Sequence, residues 1–273
     1  MKTRILETID DPAILRRLPA SDLGQIADEL RAELIQLGSE VGGHFAASLG
    51  TVELTIGLHY VFDTPRDRLI WDVGHQAHGH KMLTGRRKEL ARIKRRDGPS
   101  GFLRRCESPH DVFGAGHAGT SVSAGVGIAE AVRRRGEDSR VVVVIGDGAA
   151  TAGMSFEALN HLGELRSPVR VVFNDNGMSI APSVGGLARF GRHRDYFESL
   201  GLDYSGPVDG HDLDALLPAL RGLEASDGPA VLHVKTRKGC GYPPSERDPF
   251  GWHATSPFEV VSGIRKREPA GAP

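Results

Sequence analysis

Residues 140–176 read RVVVVIGDGAATAGMSFEALNHLGELRSPVRVVFNDN. The opening RVVVVI is a continuous apolar, β-branched run, the pattern of a parallel strand buried on both faces. GDG (146–148) ends it, a helical stretch follows, and a second buried run, VRVVF (169–173), ends in NDN (174–176). The helix over 152–165 advances about 21 Å at 1.5 Å per residue. The return strand recovers about 20 Å. Asp147 and the trio Asn174, Asp175 and Asn176 are therefore predicted at one sheet edge, roughly 5 Å apart if their strands are neighbours.

That edge is where ligands bind in open α/β sheets. A carboxylate and a carboxamide offering oxygen, without cysteine, select a hard cation such as Mg²⁺, which completes its octahedron with phosphate and water. Gly146, Gly148 and Ala149 let backbone approach an anion, and the helix start after them presents free N–H groups to it. GDG alone is no more than a tight turn. GDG paired with NDN on the next buried strand reads as a metal–diphosphate site.

Working outward, residues 21–37 set Leu23, Ile26, Leu30, Leu34 and Leu37 at three- and four-residue steps, an amphipathic helix with Ser21 as its N-cap. Further helices are predicted over 51–61, 120–135 and 211–224, with strands over 68–73 and 229–236. The small-residue stretch 120–135 suits a helix packed closely on its neighbour. Arg86 to Arg96 (RRKELARIKRR) lacks interleaved aromatics and reads as a solvated helix face rather than a phosphate track. The alternation predicts an α/β fold, a doubly wound parallel sheet with helices on both faces. One domain is expected over 1–261, followed by a polar tail at 262–273.

Composition narrows the partners. Lys+Arg number 34 and Asp+Glu 35, so no chain-wide basic field exists for nucleic acid or anionic lipid. No apolar run approaches the roughly 20 residues of a membrane span, and the acidic N-terminal segment is unlike a signal peptide. Two cysteines suit a reducing compartment, with the cytoplasm as the expected location. Glycine, at 35 of 273 residues, is the outlier, about 13% against about 7% typically. Such an excess marks backbone placed close to a ligand or a neighbouring segment.

GDG followed some thirty residues later by Asn is similar to the thiamine diphosphate fold signature, and neighbouring words are closer to one family. IWDVGHQAHGHKMLTGR (70–86), GHAGTSVSAGVGIA (116–129), GDGAATAGMSFEALNH (146–161), NDNGMSIAPSVGGL (174–187), GPVDGHD (206–212) and KGCGYPPSERDPFGWHA (238–254) resemble the N-terminal, diphosphate-binding portion of the 1-deoxy-D-xylulose-5-phosphate synthase family, within the transketolase superfamily. The resemblance implies thiamine diphosphate and Mg²⁺ as cofactors. It makes Asp147 and Asn176 side-chain metal ligands and the Met178 carbonyl a third. Gly148, Ala149, Gly116, His117, Ala118 and His75 would line the diphosphate, with Lys238 and Tyr242 close to the cofactor. His44 and His253 would face the reacting carbon, where histidine suits proton transfer near neutral pH.

Two departures stand out. Leu187 to Gly206 is a short connection where the family has a long one, and GHAGTS replaces the more usual GHSSTS. The pyrimidine-binding module, with the glutamate that activates the cofactor, has no counterpart in this sequence. The expectation is a subunit of a two-component transketolase-like carboligase, a heterotetramer of two copies of each chain, with the second subunit supplying that glutamate. It would move a two-carbon unit from a keto acid or ketose to an aldehyde. The alternatives are the synthase reaction itself, in fragment or split form, and a non-catalytic interaction module. His75, His78 and His80 form H-x-x-H-x-H, which as a transition-metal cluster lacks an acidic or thiol partner. His161 and His211 read as structural or capping positions.

Overall fold

The computed structural model describes residues 4–93 and 95–266. Within these the chain forms two compact units: residues 4–56, 75–93, 95–101 and 237–266 make the first, and 57–74 and 102–236 the second. Of the expected polar tail, residues 267–273 lie outside the described residues.

The second unit carries the sheet. Its strands are β1 (Arg68–Trp71), β2 (Val141–Gly146), β3 (Val169–Asp175), β4 (Asp203–Asp209) and β5 (Ala230–Lys235). All pair in parallel, in the order β1-β2-β3-β5-β4. The decisive stretch folds as its pattern requires: β2 and β3 are neighbours in register, with Gly146 opposite Asn174. Both alternate sets of strand side chains are buried. Val141, Val143, Ile145, Val169, Val171 and Phe173 share a core with the helices Ser121–Arg135 and Gly153–Leu165, while Val142, Val144 and Val172 are equally enclosed. The helix Leu213–Glu224 packs on β4 and β5.

Close packing explains the small residues of 120–135. A Cβ on Gly125 would stand 2.6 Å from Val143 Cγ2, so glycine there lets the helix lie on the sheet. β4 escapes the sequence pattern because it contains Gly206 and Pro207, and its residues alternate between exposed and partly buried. It is the terminal strand, where proline is tolerated because no ladder N–H is required of it.

In the first unit the helix Leu23–Val41 buries Leu23, Ile26, Leu30 and Leu34 as the spacing predicts. Ser21, expected as its N-cap, lies instead in the preceding 3₁₀ turn, Ala20–Asp22. The solvated helix expected over 86–96 is not continuous. Thr84 and Gly85 adopt non-helical backbone, Gly85 at φ 88°, and the chain turns into a short 3₁₀ segment, Glu89–Arg92.

Candidate functional site

In the second unit, Asp147 follows β2 directly and is buried. Its Oδ1 accepts the Asn176 N–H at 3.4 Å and its Oδ2 the Ser183 hydroxyl at 2.6 Å. The contact to Asn176 joins the GDG and NDN segments as the strand arithmetic requires. Asn176 Oδ1 accepts the Met178 N–H at 2.9 Å, so the carboxamide is folded over its own turn. Met178 sits in an antiparallel bridge with Pro182. The bonds from Ser179 N to Ala181 O and from Ser183 N to Gly177 O close this loop under Asp147. Gly148 allows it: a Cβ there would lie 2.8 Å from Ser179 Cβ.

Burial pushes the Asp147 carboxyl up; the Ser183 hydroxyl works against this and the nearby Asp175 charge adds to it. Asp175 behaves oppositely. Burial would raise it too, but hydrogen bonds from His233 and Lys235, with the Lys235 charge, hold it below the usual carboxylate range. The two carboxylates line one cavity of about 480 Å³, together with Ser183, His193, Arg194 and Lys235.

Gly116, His117 and Ala118 lie in an exposed loop before the helix Ser121–Arg135. Gly116 has φ 141°, a conformation that favours glycine. The loop is tied down by Asp72 at the end of β1, which accepts the Gly119 N–H at 2.9 Å and the Ser121 N–H at 3.0 Å. The helix start is thus capped by a distant carboxylate, since Thr120 makes no side-chain cap. Asp72 lies inside IWDVGHQ, but helix-capping rules look only at adjacent sequence and miss it.

The first unit holds three histidines of the sequence reading in one cluster. Ring centroids stand 5.6 Å apart for His44 and His75, 5.0 Å for His44 and His253, and 5.5 Å for His75 and His253. Among the described residues, His75 Nδ1 and His253 Nδ1 are buried without a hydrogen-bond partner, the condition of groups that await a ligand or water. Burial first, then the charges of His44, His253 and Lys238, lower His75 to about 3. Burial with the Lys238 and His44 charges lowers His253 to about 4. Both rings are therefore neutral near pH 7. Lys238 is buried at 6% exposure. Tyr242 packs among Phe45, Trp252 and Phe258 and donates its hydroxyl to the Val260 carbonyl at 3.0 Å.

The H-x-x-H-x-H residues do not converge on a metal. His78 Nδ1 pairs with Ser48 Oγ at 2.7 Å. Among the described residues, the group whose ligand atoms fall within 4.8 Å of one another is Asp175, His193 and His233. Also among the described residues, no helix is long and apolar enough to cross a membrane.

A sequence model described as 1-deoxy-D-xylulose-5-phosphate synthase matches residues 6–194 and 190–236. The 1-deoxy-D-xylulose-5-phosphate synthase of Thioalkalivibrio sulfidiphilus is 46% identical over 310 residues, covering 98% of this chain and 48% of the relative. That of Thiobacillus denitrificans is 46% identical over 314 residues, covering 100% and 51%. The chain spans about half the length of the curated relatives it matches. Among solved structures, a Pichia stipitis transketolase aligns over 82% of this chain and 37% of its own, at TM-score 0.72 and 20% identity. A Campylobacter jejuni transketolase aligns over 93% and 41%, at TM-score 0.70 and 20% identity. At that identity the likeness speaks for the fold alone.

Proposed function

The chain belongs to the 1-deoxy-D-xylulose-5-phosphate synthase family, and from that premise we propose that it holds the diphosphate and metal end of thiamine diphosphate for that synthase's reaction. One observation carries the reading. Asp147 is a buried carboxylate whose described partners are a hydroxyl and an N–H, with no cation among them, beside a second carboxylate that already has its own. A divalent cation fits the first and not the second, because charge in a buried site demands a counter-charge.

In this reading Asp147, Asn176 and the Met178 carbonyl hold Mg²⁺. In the second unit Gly148, Ala149, Gly116, His117 and Ala118 would line the diphosphate, and the family motifs assign His75, Lys238 and Tyr242 to the cofactor as well. When bound, thiamine diphosphate supplies a nucleophilic carbon and an electron sink, chemistry that no side chain provides. His253, neutral at pH 7 because burial holds it at about 4, could accept a proton from the substrate, and His44 would share that role. The orphaned nitrogens of His75 and His253 support a polar occupant there. The relatives' shared name favours the synthase reaction over a carboligase of other specificity. The pyrimidine module and its glutamate would come from the other half of the family's length, on this polypeptide or on a second one. The low cysteine count fits the cytoplasm.

Calorimetry tests the core of this. Thiamine diphosphate with Mg²⁺ binds the protein, and Asp147→Ala abolishes that binding because the diphosphate loses its metal bridge. Binding that survives the substitution overturns the assignment.

A further inference from the structure

Asp175 is more heavily engaged than a strand-end residue needs to be. It is 4% exposed. It immediately precedes Asn176, and its Oδ1 accepts the N–H of Gly177 at 3.1 Å, so one carboxylate brackets Asn176 from both sides. Gly177 is in the left-handed region at φ 69°, which makes this a sharp turn. Oδ2 accepts two donors from β5: His233 Nε2 at 2.9 Å and Lys235 Nζ at 2.6 Å. Because the carboxylate can only accept, Nε2 carries the proton, and in the neutral ring Nδ1 is the acceptor. The Tyr204 hydroxyl on β4 donates to that nitrogen. One chain of hydrogen bonds therefore crosses β3, β5 and β4 and ends on the turn beside Asn176. The Asp175 carbonyl, accepting Thr236 N–H at 3.0 Å, ties down the backbone as well.

We propose that Asp175, braced by Lys235 and His233 and through His233 by Tyr204, is a positioning residue that sets the Asn176–Met178 turn in the geometry required of metal ligands. The proposal rests on the cofactor reading above. Lys235 is 56% exposed while Asp175 is buried, and an ion pair open to solvent adds little to stability alone. It is a good device for fixing direction, and the residues behind metal ligands commonly serve that purpose. The brace also settles which carboxylate meets the cation. Lys235 and His233 already occupy Asp175 Oδ2, whereas the two oxygens of Asp147 take only uncharged donors. Asp175, His193 and His233 could offer ligand atoms to a metal of their own, but the ammonium on Asp175 Oδ2 stands where that ion would bind.

The test is Mg²⁺ titration by calorimetry with thiamine diphosphate saturating, read beside the melting temperature of the ligand-free protein. Asp175→Asn keeps an acceptor for Gly177 but sets an amide against two donors. Its Mg²⁺ affinity is expected to fall about 10- to 100-fold. Tyr204→Phe and Lys235→Met, which leave the turn itself intact, should weaken Mg²⁺ by smaller factors, and Lys235→Arg should restore it. A purely structural brace would lower the melting temperature and leave Mg²⁺ affinity unchanged, and that result overturns the proposal. If Asp175→Asn does not fold, unchanged Mg²⁺ affinity in both Tyr204→Phe and Lys235→Met overturns it equally. Stoichiometric zinc on Asp175, His193 and His233 would do so too. If the unaltered protein does not bind the cofactor, the cofactor reading fails first and takes this one with it.

Discussion

His75 makes the protein sensitive to acid. Its ring is held at about 3, against 6.5 for an ordinary histidine, so the unfolded chain takes up the proton more readily than the folded one. The corresponding stability is complete above about pH 6.5 and is lost as pH falls from there toward about 3. The slope from His75 is about 1.4 kcal/mol per pH unit. His253 acts in the same direction, but it is half-exposed and solvent screens its share. Denaturant unfolding between about pH 7 and about pH 4.5 should therefore show stability falling with acid, and His75→Gln should flatten the fall. An equally steep fall in the variant would mean that His75 is not a buried neutral ring. At this scale the sequence revealed residue types but not their neighbours. His44, His75 and His253 were legible only through their motifs, since nothing in their spacing places three rings 5.0–5.6 Å apart. Asp72 and Ser183 were invisible for the same reason: each acts on a residue far along the chain.

At the scale of elements, glycine has two different roles in the helix Ser121–Arg135. Gly125 faces the sheet, where any Cβ collides with Val143, whereas a Cβ on Gly127 meets nothing within 4 Å. Gly125→Val should destabilise the protein by about 1–3 kcal/mol through overpacking. Gly127→Ala should stabilise it by about 0.5–1 kcal/mol, because alanine loses less backbone entropy on entering a helix. Urea titration of both variants separates the roles, and similar effects at the two positions would contradict the packing described. Local patterns marked β2, β3, β5 and the major helices because period and burial agree there. They fail at 86–96, where the backbone leaves helical geometry at Ile93, at ψ 143°, and ends a stretch that charge and composition allow to be helical. At β4, Gly206 and Pro207 conceal a strand that pairing with β5 nevertheless organises.

For the whole molecule, separation along the chain decides which contacts can be read in advance. The metal half of the proposed site was legible in the sequence because it lies within one strand–helix–strand unit, where distances follow from counting residues. The brace behind it was not, because Tyr204, His233 and Lys235 reach Asp175 through strand order, which counting does not supply. The same strand order leaves β4 at the rim. Pro207 has no N–H to donate, and the register slips between Ser205 and Val208. A foreign strand laid along this rim would meet a gap and a misfit where it needs a regular ladder. The valine-rich parallel sheet thus has on that side a rim ill-suited to edge-to-edge pairing.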